Sequence, residues 1–206
     1  MKVIKPYIEV LDCPEGLDIL KLIELCGRVC YKSEDKITED SAQRFVRSVI
    51  KSGHESVLEH AKITVRVVCD RGISHEIVRH RLASYSQESS RYVRYTGEMI
   101  FIKPCFWEEG SKEYEVWYNS MKNAEETYIF LVNGLKCKPE EARDILPNSL
   151  KTEIIMTMNL REWRHFFKLR LSNRAHPQMR EVAQLIFDEL HGRVPIVFDD
   201  IEIQET

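Results

Sequence analysis

Between positions 79 and 91 the chain reads Arg79-His80-Arg81-Leu82-Ala83-Ser84-Tyr85-Ser86-Gln87-Glu88-Ser89-Ser90-Arg91. Three contiguous cationic or imidazole side chains are followed, after seven intervening residues, by two serines and another arginine. A guanidinium presents a rigid fork of donors that a phosphate accepts in bidentate fashion. Serine hydroxyls and backbone N–H groups serve the remaining oxygens. The grouping suits a ligand with phosphates and hydrogen-bonding edges. Taken alone, an Arg-His-Arg triplet is also what a solvated basic face looks like, so the rest of the chain has to decide.

Other chemistries find less support. His54 and His60 lie roughly 600° apart on a helix and share no face; His75 and His80, five apart, pair no better. His54-Glu55 does not continue as His-Glu-x-x-His, so no metal is expected. There is no Gly-x-Ser-x-Gly, and none of the six cysteines sits in an electropositive setting, which argues against a nucleophilic enzyme. No Gly-x-Gly-x-x-Gly and no phosphate loop of the Walker type occurs. A nucleotide cofactor would therefore be held by side chains and not by a glycine turn.

The elements that must position these residues follow from periodicity. Residues 3–10 read as a strand and 16–31 as a helix with a broad apolar stripe. In 38–51, Ala42, Phe45, Val46, Val49 and Ile50 make one helical face, begun near Thr38-Glu39-Asp40-Ser41 and ended by Gly53. Residues 60–69 read as a strand with Ile63, Val65 and Val67 on one face. Residues 71–81 read as a short helix, which puts the basic triplet at a helix end and its serines in the loop beyond. A strand at 99–102, a long helix at 113–135, a short one at 139–146, a strand at 152–158 and helices at 161–170 and 177–190 complete the chain. In the long helix Trp117, Met121, Ala124, Tyr128 and Leu131 recur as a core or interface stripe. The sum is α+β: a single domain over residues 1–206, with helices packed around a mostly antiparallel sheet.

Composition agrees with an ordinary globular protein of 206 residues, and the net charge of −3 offers no global field for nucleic acid. Arginine is nevertheless concentrated at 79, 81, 91 and 94 and again at 161, 164, 170, 174 and 180. These are local anion sites or, for the second group equally, solvated helix faces. No apolar run approaches the roughly 18–20 residues of a membrane span. Met1-Lys2-Val3-Ile4-Lys5-Pro6 has none of the apolar stretch of a secretory signal, so a cytoplasmic location with reduced cysteines is expected.

Arg-His-Arg, seven residues, Ser resembles the signature of the flavin-dependent thymidylate synthases. The resemblance continues in order along the chain. His54-Glu55-Ser56-Val57-Leu58-Glu59-His60 matches the family's His-Glu-[Ser/Thr]-x-x-Glu-His; Arg143-Asp144-Ile145-Leu146-Pro147 matches an Arg, one variable residue, an apolar pair and a Pro. Asn159-Leu160-Arg161 with Leu169-Arg170 matches an Asn-x-Arg helix ending in Leu-Arg, and His176-Pro177-Gln178 a His-x-Gln element. What the resemblance implies is reductive methylation of dUMP to dTMP. The carbon comes from 5,10-methylenetetrahydrofolate, FAD carries the hydride and NADPH reduces it, in a homotetramer whose flavin sites are shared between subunits. It places Ser56, Arg79, His80, Arg81, Gln87, Asn159, Arg161 and His165 at FAD. It places Glu76, Arg79, Gln87, Glu88, Ser89, Ser90, Arg91, Arg143 and Arg170 at dUMP, with Arg170 as the catalytic cation beside the uracil. His54 is a folate candidate or a capping histidine. Glu76, Gln87 and His165 stand where other members carry Gln, Glu and Asn. Two other readings remain: an Arg-rich nucleotide- or RNA-binding module using Trp163, His165, Phe166 and Phe167, and a flavin enzyme of the same fold acting on another pyrimidine nucleotide.

Overall fold

The computed structural model describes residues 1–203. Its strands, in chain order, are β1 (Lys2–Ile4), β2 (Tyr7–Asp12), β3 (Lys62–Asp70), β4 (Ala83–Gln87), β5 (Ile100–Ile102) and β6 (Lys151–Asn159). β6 shows why this stretch is extended: Thr152, Ile154, Met156 and Met158 are buried and the intervening residues face the other way, the period of two that a strand imposes. β3 and β6 run antiparallel. Leu160 N–H donates to the Ala61 carbonyl at one end and Arg71 N–H to the Leu150 carbonyl at the other. The Thr64 and Thr157 hydroxyls meet at 2.9 Å between them. With β2 outside β3 and β4 outside β6, the order is β2-β3-β6-β4. β1 and β5 form a separate parallel pair with Lys2 opposite Ile100. The architecture is helix plus mostly antiparallel sheet, as the periodicity predicts.

Two strand expectations need correction. Residues 3–10 are not one strand, because Pro6 has no N–H for a ladder and the chain breaks there into β1 and β2. The spacer of the basic signature is not all loop: β4 occupies it. Only Ala83 and Tyr85 of β4 are half-buried, so an edge strand of small and polar residues carries no strong strand signal of its own. It is recruited by β6.

The helices are α1 (Gly16–Val29), α2 (Ser41–Lys51), α3 (Arg71–Ile77), α4 (Lys112–Ile129), α5 (Pro139–Ala142), α6 (Leu160–Arg170), α7 (Pro177–Arg193) and α8 (Pro195–Phe198). Short polar side chains start several of them: Asp70 accepts from Ile73 N–H at 2.9 Å, Ser111 from Tyr114 N–H at 3.2 Å, and Asn159 from Glu162 N–H at 2.8 Å. α4 ends earlier than the stripe suggests and passes into a π turn, Phe130–Gly134, where Leu135 N–H reaches back to the Phe130 carbonyl. α8 has too few residues to show a period, and the sequence reading missed it.

The chain packs as two compact units. One comprises Met1–Tyr7, Val67–Arg79 and Ser86–Ile154. Its core holds Met99, Phe101, Trp117, Met121, Tyr128 and Val132, so the Trp117 stripe of α4 is core. The other comprises Ile8–Arg66, His80–Tyr85 and the chain from Ile155. Its centre is aromatic: Phe167 lies 5.2 Å from Phe187 and 5.4 Å from Phe198, ring edge to ring face, and stacks on Trp163 at 5.7 Å. Trp163 Nε1 donates to the Ile63 carbonyl at 3.2 Å, which pins α6 to β3. Among the described residues no helix is long and apolar enough to cross a membrane.

Gly16 opens α1 against the end of α7. A Cβ there would run into the carbonyl oxygen of Arg193, a backbone atom with little freedom to move. Gly192 has open space around its Cβ position. Gly16→Ala should cost about 1–3 kcal/mol. Gly192→Ala, within α7, should gain a few tenths to about 1 kcal/mol. Thermal denaturation of the pair, read as opposite shifts in Tm, checks the close approach of α1 and α7.

Candidate functional site

In the second unit the site is built on α6. Asn159 caps the helix through Glu162 N–H, and that cap fixes the first turn. A cleft of about 460 Å³ then opens among Glu59, Asn159, Arg161, Glu162, His165 and Lys168. Arg161 Nη1 pairs with Glu59 Oε1 at 2.6 Å, both side chains exposed. His80 reaches the same helix from β4's side of the chain. It is 4% exposed, with Nδ1 3.3 Å from Glu162 Oε1 and Nε2 3.1 Å from Arg170 Nε. Its ring rests 4.9 Å from Phe166 and 5.9 Å from His165. Burial, then the charges of Arg170 and His165, lower the His80 pKa to about 4, so the ring is neutral at neutral pH. Burial raises the Glu162 carboxyl above its ordinary value.

His80, Glu162 and His165 offer ligand atoms within 4.8 Å of one another. The histidine pairs weighed in the sequence do not include this trio, whose only local trace is the three-residue step from Glu162 to His165. A divalent ion there would sit against the Arg170 guanidinium, so the geometry favours polar or anionic ligands. Arg81 is exposed at the mouth of β4. Ser56 and His54 line a different space, a pocket of about 290 Å³ walled by Gly27, Cys30, Tyr31 and Phe45. No local spacing signals that α1 and α2 join those two residues, because the apolar residues of both helices read as core.

Arg164 is the residue the sequence reading most underrated. It is 1% exposed. Nε and Nη2 donate to Glu55 Oε1 at 3.1 and 3.0 Å, and Nη1 and Nη2 to the two Asp200 oxygens at 2.6 and 2.7 Å. Nη1 also reaches the Val197 carbonyl. Trp163, Phe166 and Phe167 are fully buried, so the aromatics between these arginines are core and offer no face for stacking bases.

In the first unit a second set gathers around α3 and the segment after β4. Ser74 Oγ donates to the Arg71 carbonyl at 2.8 Å and accepts from Gln87 Nε2 at 2.8 Å; Gln87 Nε2 also lies 3.3 Å from Thr152 Oγ1. Glu88 accepts from Tyr95 Oη at 2.8 Å and from Lys151 Nζ at 2.9 Å, and Lys151 is shared with Glu153. Ser89 Oγ accepts from Arg91 N–H at 3.3 Å, while Arg91 Nε pairs with Glu140 at 3.1 Å. Ser90 is buried and Glu76 half-buried; Arg79 and Arg143 are exposed. Arg71 Nη1 is buried without a hydrogen-bond partner, an unmet donor beside this set that the sequence did not single out.

Two measurements test the Arg164 cluster. Arg164→Leu should lose about 3 kcal/mol in urea denaturation, because two carboxylates lose their cation. The Arg164 hydrogen bonds hold the Asp200 carboxyl below its ordinary value. A depressed folded-state pKa contributes stability above the unfolded value, about 3.9, and loses it as pH falls through the folded one. Wild type should therefore exceed Asp200→Asn in urea midpoint at pH 6, with the gap closing below about pH 4.

The family model described as thymidylate synthase complementing protein matches residues 16–196. A flavin-dependent thymidylate synthase of Pyrococcus furiosus is 39% identical over 176 residues, 84% of this chain and 72% of that one. One of Geobacter sulfurreducens is 36% identical over 186 residues, 86% of this chain and 80% of that one. The crystal structure of a UMP/dUMP methylase PolB from Streptomyces cacaoi, bound with 5-Br dUMP, superposes with a TM-score of 0.78. It is 25% identical and covers 97% of this chain and 96% of its own. A match that runs from the start of α1 to α8, through the basic signature and α6 alike, leaves one assignment: the chain belongs to the flavin-dependent thymidylate synthase family.

Proposed function

We propose that the protein makes dTMP from dUMP, with 5,10-methylenetetrahydrofolate as carbon donor, FAD as hydride carrier and NADPH as reductant. The observation that carries this is family membership across residues 16–196, which embraces every segment of the signature. FAD, when bound, supplies the redox chemistry, and the protein supplies binding, orientation and electrostatics.

The residues present fit such a cofactor. The α6 cleft offers Arg161, Lys168, His165 and the Asn159 amide, donors suited to a pyrophosphate that displaces the Glu59 and Glu55 carboxylates now paired with Arg161 and Lys168. Arg79, His80, Arg81 and Gln87 belong to the same assignment. Ser56 stands in the pocket walled by Tyr31 and Phe45, which suits a ring system, and His54 beside it is our candidate for the folate. For dUMP, Arg91 and Arg143 are the phosphate forks, with Ser89 and Ser90 completing the oxygens, and Glu76, Arg79, Gln87 and Glu88 close by in sequence. Arg170 faces the uracil imide in this reading. It stays protonated, so it acts by stabilising negative charge that develops on the ring.

The assembly proposed is a homotetramer. Leu22, Leu25 and Val29 of α1 are 42, 49 and 48% exposed at one helical spacing, an apolar stripe that another copy of the chain would cover. One domain spans residues 1–206, because each compact unit is made of interleaved segments and neither can be cut from the chain intact. The setting is cytoplasmic, where thiols stay reduced and neither a membrane nor a nucleic acid is a partner. The likeness to a UMP/dUMP methylase keeps UMP as the second substrate to test.

The deciding experiment is the visible spectrum of the purified protein, taken anaerobically with NADPH in the presence of dUMP, UMP or neither. A flavin band bleached at a rate that responds to dUMP supports the proposal, and one that responds to UMP alone supports the second substrate. No band, even after adding FAD, overturns both. Arg170→Ala should keep flavin and lose turnover by roughly 10²–10³-fold. Arg81→Ala should hold flavin roughly ten- to a hundredfold more weakly, read as flavin retained after gel filtration.

A further inference from the structure

We infer that Glu162 is a positioning residue for Arg170, acting through His80, and that together they form a directed relay Arg170 to His80 to Glu162. The inference deepens the reading above and rests on it for the role of Arg170.

Counting protons fixes the direction. The guanidinium of Arg170 is protonated at any working pH, so its Nε carries a hydrogen and can only donate. That nitrogen is 3.1 Å from His80 Nε2, which must therefore be the unprotonated, accepting nitrogen. A neutral imidazole carries its single hydrogen on the other nitrogen. Nδ1 faces Glu162 Oε1 at 3.3 Å, and a carboxylate accepts. An imidazolium would set two donors and two positive charges 3.1 Å apart at Nε2, and the lowered His80 pKa of about 4 agrees with the neutral ring.

The parts around the relay hold it still. Glu162 is 7% exposed and sits in the first turn of α6, its N–H bound by the Asn159 cap at 2.8 Å. Arg170 closes the same helix. One imidazole thus joins the two ends of α6. His80 is tethered from its own side, since Tyr85 Oη donates to the His80 carbonyl at 2.7 Å and Phe166 packs on the ring. Removing the carboxylate leaves the Nδ1 hydrogen without its acceptor, so the tautomer with the hydrogen on Nε2, then opposed by Arg170 alone, becomes populated. Donor would then meet donor at Arg170 Nε, and the guanidinium would turn away from its present direction. Glu162 need not touch dUMP for this effect; it sets where the charge points.

The test uses the flavin-loaded protein labelled with ¹⁵N-histidine. Long-range ¹H–¹⁵N spectra distinguish protonated from bare ring nitrogens, and His80→Asn assigns the His80 signals by their loss. The expected result between about pH 6 and 8 is a protonated Nδ1 and a bare Nε2. A protonated Nε2, alone or in an imidazolium, overturns the relay. Glu162→Leu, measured with FAD added to saturation, should give mixed His80 tautomers and lose kcat for dUMP by roughly tenfold or more. Glu162→Gln, whose amide oxygen still accepts, should restore both. Unchanged His80 signals and kcat in Glu162→Leu would also overturn the relay. Should Glu162→Leu not fold, the wild-type and Glu162→Gln spectra still decide. A wild type with protonated Nδ1 but no flavin-dependent methylation sinks the reading of function and leaves the relay standing. Methylation with the opposite tautomer sinks the relay alone.

Discussion

The burial of Arg164 is the constraint on which the second unit depends. A guanidinium at 1% exposure is tolerable only if its donors are met, and Arg164 meets them with Glu55, Asp200 and the Val197 carbonyl. Those partners come from the 3₁₀ turn Glu55–His60 and from the segment around α8. Three stretches far apart in sequence are drawn to one charge. That requirement fixes α6, and α6 carries Arg161, Glu162, His165 and Arg170. Glu55 is next to Ser56, so the same charge steadies the edge of the Tyr31–Phe45 pocket.

α6 does two jobs because its faces differ. Trp163, Phe166 and Phe167 point into the aromatic core, which makes the helix rigid. Arg161, His165 and Lys168 stay exposed at the cleft, open to solvent. Between the faces lie the buried polar groups Glu162 and Arg164, each satisfied by a partner outside the helix. A protein with a net charge of −3 thus gathers cations along one helix, without a basic field over its whole surface. An arginine fork positions a ligand only as well as its own stem is held, and the buried face of α6 secures those stems.

Membership of the flavin-dependent thymidylate synthase family gives these features a common purpose. The first unit gathers hydroxyls, a lysine–glutamate network and exposed arginines; the second gathers the imidazole relay and the polar cleft. Neither resembles a self-contained glycine-loop nucleotide fold.

Much of this was already in the linear chain. The periods of two in β3 and β6 and the helical stripe of α4 depend on neighbours a few residues away, so they can be read locally. The helix start read near Thr38–Ser41 falls at Ser41, though the N-cap Asp40 makes no side-chain cap bond, whereas Asp70 and Asn159, which do cap α3 and α6, were not singled out as caps. The basic signature, with its matching motifs in order, was enough to point to the family. Tertiary structure alone decided the rest. β4 exists because β6 offers an edge, and its own residues carry no strong preference. Arg164 looked like one more solvated arginine until Asp200 and Glu55 closed on it. His80 and Glu162, 82 positions apart, acquired opposed hydrogen-bond roles only when a buried ring was set between a carboxylate and a guanidinium. Hydrogen-bond direction and the burial of charge depend on which distant groups meet, and no local spacing records that.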